Sequence, residues 1–91
     1  MKPDYSRIPR QTIKSLEAWI ATGRLLGDPF CEAVVMNDLE ATIAHADAAH
    51  LEAFPQIMLW LRRHAPMGSY GSPAALGTWP KIARPHADSK V

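Results

Sequence analysis

Eight prolines in a chain of 91 residues limit what it can fold into more than any other feature. Each lacks a backbone N–H and fixes φ, so each favours an element's first turn or its boundary over its interior. Their placement is orderly. Pro9 precedes a run in which Ile13, Leu16 and Ile20 recur at helical spacing, with Trp19 at the edge of the stripe. Lys14, Ala18 and Ala21 fall on the other side, and Gly23 can take the left-handed conformation that closes a helix. Asp28-Pro29 and Ser72-Pro73 each join a capping side chain to a proline suited to a first helical turn. Pro66 and Pro80 stand where apolar patterns stop.

Between these marks the pattern is helical throughout. After Pro29, Cys31, Val35, Leu39 and Ala46 gather on one face, flanked by Val34 and Ile43. Asn37-Asp38 interrupts with two weak helix formers, so the spacing predicts one helix over 29–46 with a soft middle where a break could fall. Asp47 caps the next run, in which Leu51, Phe54, Met58, Leu61 and Ala65 form an amphipathic stripe widened by Ile57. Pro55 predicts a kink there, and Arg62, Arg63 and His64 complement the dipole at the helix end. The expected fold is all-α: a three-helix bundle over 10–22, 29–46 and 48–64, with a short fourth helix over 73–79 stopped by Pro80. One domain spans 9–80, between an extended arm at 1–8 and a disordered tail at 81–91 that holds little apolar content beyond Ile82.

Charge excludes some partners. Ten Lys and Arg against nine Asp and Glu leave a net charge of +1, too weak a field to favour nucleic acid or an anionic membrane. No window approaches the roughly 18 apolar residues of a membrane span. The single cysteine, Cys31, fits a reducing compartment, and with no secretory pattern at the start the cytoplasm is the expected location.

The chemistry-bearing residues do not assemble into a reactive set. His45, Asp47 and His50 come nearest to a metal site, but the two histidines are five apart and no third ligand pair completes a shell; a helix junction with one exposed and one packed histidine explains them better. Cys31, in a first helical turn, could be an activated nucleophile, yet it shares the apolar face with Val34 and Val35 and reads as a buried thiol. Glu17, Glu32, Glu40 and Glu52 are spread over solvated faces, and 68–72 reads as a capping turn more readily than as an anion loop. A helix-turn-helix reading places acidic Asp47 and Glu52 where base-reading side chains belong. No catalytic residue, metal or cofactor is expected. What remains is apolar surface outside the stripe. With Phe54 marking the core, Leu59 points outward, Trp60 stands off-centre, and Arg62, Arg63, Tyr70 and Trp79 lie near it in sequence. Exposed aromatics beside arginine are typical of interface centres, so these six residues form the candidate partner-binding set. The competing reading is that the last helix folds back and covers Trp60.

Phe30, Ala33-Val34, Asn37-Asp38-Leu39, Ala46-Asp47, Ala65-Pro66, Gly68, Gly71-Ser72-Pro73 and Trp79 appear in an order that resembles a family of short uncharacterised proteins of tailed bacteriophages and prophages. The likeness spans roughly Ile13 to Trp79. It departs at His50, where that family has Asn, at Tyr70, where it has Trp, and in a loop before Phe30 that is one residue longer. The resemblance implies a phage origin. By analogy of class it implies a non-enzymatic accessory protein that binds a host protein complex, such as a CRISPR–Cas or other defence complex. A small DNA-associated regulator acting as a dimer is the alternative.

Overall fold

The computed structural model describes the backbone of residues 5–25 and 27–88 and the side chains through Ala83. Among the described residues the fold is all-α, with five helices and no strand: α1 (Arg10–Thr22), α2 (Pro29–Met36), α3 (Leu39–His45), α4 (Ala48–His64) and α5 (Ala75–Asp88). None of them is long and apolar enough to cross a membrane.

Three of the predicted caps operate, whereas Ser72-Pro73, expected to open the last helix, lies before it, and α5 begins at Ala75. Asp28 and Asp47 accept from the backbone N–H of Cys31 and His50, each three residues on, and the Gly23 N–H closes α1 on the Trp19 carbonyl at φ 70°. The soft middle at Asn37-Asp38 is a full break and not a continuous helix. Asn37 adopts the left-handed conformation at φ 61° and ends α2, while the Asp38 side chain accepts from the Ala41 N–H and starts α3. A cap competes locally with helix continuation, and here two adjacent residues favour it. The break turns α3 away from the line of α2. Leu39 and Ile43, expected on the core face, are exposed, and α3 buries only Thr42.

The core gathers Leu16 and Trp19 from α1, Phe30, Cys31, Val34 and Val35 from α2, Ala53, Ile57, Trp60 and Leu61 from α4, and Trp79 and Ala83 from α5. Fully burying an aliphatic side chain such as Leu16, Ile57 or Leu61 contributes about 1.5–3 kcal/mol. α4 therefore presents a face turned about a quarter-turn from the expected one: Leu51 is exposed, Phe54 and Met58 are half-buried, and Ala53, Ile57 and Trp60 point inward. The helix runs on through Pro55.

Both chain ends depart from expectation. The segment before α1, expected to be extended, turns over residues 5–8 and lies on the core: the Ile8 N–H donates to the Tyr5 carbonyl, Ile8 is buried, and Tyr5 packs with its ring edge-on to His64 at 5.9 Å. Residues 1–4 of that arm lie outside the described residues. Pro80 does not stop the last helix, which begins at Ala75 and continues to Asp88. Ala75, Trp79 and Ala83, four residues apart, are all buried, and α5 packs against α1 and α2 along that stripe. An interior proline costs about 3 kcal/mol, so tertiary burial on both sides of Pro80 decides the outcome. The expected disordered tail is thus helical over 81–88, and 89–91 lie outside the described residues.

Candidate docking surface

The two aromatic anchors expected from sequence are core residues. Trp60 is only 8% exposed, and its ring sits 5.1 Å from that of His64. Trp79 is 6% exposed, and its indole Nε1–H donates to the Trp19 carbonyl at 2.8 Å. Trp19, expected at the edge of a stripe, is buried as well and donates from Nε1 to the Ser69 carbonyl at 2.6 Å. An indole is large and carries one donor, so it settles in a core wherever a backbone carbonyl accepts that donor. These two bonds join α5 to α1, and α1 to the turn after α4. The Gly71 N–H donates to the Val35 carbonyl at 2.8 Å and fixes the same turn to α2. The N–H groups of Ser69 and Gly71 are thereby used inside the protein, which supports a structural reading of 68–72 over an anion loop.

The remaining members of the set do face solvent. Leu59 is 44% exposed, Arg62 and Arg63 are exposed, and Tyr70 is half-buried. Among the described residues neither arginine pairs with a carboxylate. Arg62, Met67 and Tyr70 border a concavity of about 520 Å³, and Met67 at its rim is 98% exposed. The quarter-turn of α4 adds two residues missed from sequence. Leu51, Pro55, Leu59 and Arg62 succeed one another at helical spacing along the outer face, so Leu51, assigned to the core, lengthens the apolar ridge.

A second constellation is more ordered and less accessible. The Asp47 carboxylate lies 2.7 Å from His50 Nδ1, and His50 Nε2 lies 2.8 Å from Thr12 Oγ1. The Asp47 carboxyl is held below its ordinary value of 3.8, chiefly by the His50 backbone N–H and then by the His50 side chain. An ionised carboxylate only accepts, so Nδ1 carries a proton, and in the neutral ring Nε2 accepts the Thr12 hydroxyl. Carboxylate, imidazole and hydroxyl in this order match a nucleophile triad. Acyl transfer also needs an accessible nucleophile and donors aimed at an oxyanion. Thr12 is 1% exposed, and the neighbouring cavity of about 230 Å³ is bordered by the Asp28 carboxylate. With the Phe30 ring 4.3 Å from the imidazole, the chain acts as a tie between the starts of α1, α2 and α4. Sequence spacing could not show it, since 38 residues separate Thr12 from His50.

The tie can be tested at both of its ends. Thr12→Val keeps the shape and removes one partly buried hydrogen bond, which costs about 1 kcal/mol, or roughly 4–8 °C in Tm for a domain of this size. Because the folded-state value of Asp47 is depressed, its contribution is present above the ordinary value and lost as pH falls through the folded one. Thermal melts from about pH 6 down to about pH 3 should show a shallower acid-side loss for Asp47→Asn than for the wild type.

Cys31 is inert. Burial pushes its thiol well above the ordinary value, and the Asp28 carboxylate adds to the shift by its charge and by a hydrogen bond. The helix dipole does not prevail over these effects. His45 is exposed and His50 half-buried; among the described residues no three His, Cys, Asp or Glu side chains gather as a metal would require. Comparison with protein-family models, with curated proteins and with solved structures returned no match to this chain.

Proposed function

We propose that this chain is a binding protein without catalytic chemistry, which docks onto a partner protein through the outer face of α4. The carrying observation is the ridge of Leu51, Pro55 and Leu59, which ends at Arg62 and Arg63, neither paired among the described residues. An apolar ridge closed by two arginines suits a groove with an acidic rim: desolvated apolar contact supplies affinity, and the charges set register and encounter rate. The phage resemblance supports a partner in the bacterial host, of the defence-complex class. A DNA-associated dimer gains less support, because the start of α4 carries Asp47 and Glu52 and no base-reading side chain.

The test is a Leu59→Ala, Arg63→Ala double variant. Both side chains are exposed, so Tm should stay within a few degrees. Affinity for a partner captured by the tagged wild type should fall by about thirtyfold or more, the loss typical of truncating an interface anchor. Unchanged affinity would remove this face from the interface, and recovery of nucleic acid without protein would favour the regulator.

A further inference from the structure

A second concavity lies elsewhere, between the segment before α1, α1 itself and the first turn of α4, and among the described residues its charge is mostly positive. It measures about 770 Å³; Arg7, Arg10 and Lys14 line it against one carboxylate, Glu17. Arg10 and Lys14 are one helical turn apart, both exposed, and among the described residues neither is ion-paired. Arg7 is held by Glu52 at 3.2 Å in an exposed pair, the kind that exchanges readily for a better acceptor. Between the cations the wall is apolar, formed by Tyr5 and the half-buried Ile13. α1 also opens here, and Pro9 at its start offers no side-chain cap, so the positive end of its dipole adds to the field.

We propose that this groove binds a short acidic peptide segment of a protein, whose carboxylates meet Arg7, Arg10 and Lys14 while an apolar side chain rests on Tyr5 and Ile13. A peptide fits better than a nucleic-acid strand. Closely spaced phosphates would be carried past Glu17 and Glu52, whereas a peptide places its carboxylates singly and offers apolar side chains to the wall. The site is separate from the α4 ridge, and the proposal stands or falls apart from it.

Fluorescence polarisation with a labelled peptide of alternating glutamate and leucine is the test, with a lysine–leucine peptide and oligo-dT of equal length as controls. The acidic peptide should bind and the two controls should not, and binding should weaken several-fold as salt is raised through the range where the Debye length shrinks. Arg10→Glu with Lys14→Glu should reduce affinity at least tenfold without moving Tm. Leu59→Ala with Arg63→Ala should leave the affinity unchanged. No binding of the acidic peptide, indifference to the charge reversal, or tighter binding of oligo-dT would each overturn the proposal.

Discussion

Trp79→Ala should bring the protein close to unfolding. The substitution removes an indole that is 6% exposed and takes with it the 2.8 Å bond to the Trp19 carbonyl. Truncating a buried aromatic to alanine costs about 3–5 kcal/mol, and a domain of this size has only about 5–15 kcal/mol in total. Tm should fall by roughly 12–40 °C. The position matters beyond its area. The Trp19 carbonyl also accepts the Gly23 N–H at 2.8 Å, so one oxygen serves both the end of α1 and the anchor of α5. Trp79→Phe keeps one aromatic ring but loses the donor and part of the buried indole volume, and should cost less than Trp79→Ala. A calorimetric scan separates these outcomes. If Trp79→Ala melted within a few degrees of the wild type, α5 would not be packed on α1 as described.

Gly23→Ala should be the most damaging single-methyl change in the chain. Gly23 has φ 70°, a conformation that costs an L-residue about 1–2 kcal/mol. A Cβ there would also stand 2.5 Å from Pro80 Cα, a backbone atom that cannot swing aside. Relieving that clash means moving α5 off α1, and overpacking of this kind costs a further 1–3 kcal/mol or so. A loss of roughly 2–5 kcal/mol is expected. Gly27→Ala is the control: φ is 68° there too, but nothing lies within 4 Å, so only the conformational cost applies. Denaturant melts of the pair should differ by at least about 1 kcal/mol; equal losses would mean that the α1–α5 approach is looser than the geometry states.

What the sequence discloses and what it hides divide along range of interaction. Gly23, Asp28 and Asp47 are legible because a cap is written within four residues of where it acts. Asn37-Asp38 is legible as a weak point, but whether it bends or breaks depends on where α3 finds burial. The length of α5 is hidden, because Ala83 reads as a neutral residue until α1 is placed beside it. The facing of α4 is hidden for a related reason. Stripes through Leu51 and Phe54 or through Ala53 and Ile57 are both helical, and Trp60 beside Leu61 settles the choice by burying the larger ring. Of the candidate docking set, Leu59, Arg62 and Arg63 are readable as outward-facing. Trp60 and Trp79 are not readable as core, since nothing local reveals that Trp79 donates to a carbonyl 60 residues away.

The proposed docking mode requires α4 to turn its outer ridge to a partner while the tryptophans stay inside. Site-specific photo-crosslinking tests this directly, with a photoreactive phenylalanine analogue placed at Leu59 in one variant and at Ile82 in another. Both positions are exposed and apolar, on different helices, so they differ in location more than in chemistry. Docking through α4 predicts a discrete protein adduct, in cells that express the protein, from position 59 and none from position 82. Adducts of equal yield from both positions, or an adduct from position 82 alone, would contradict it.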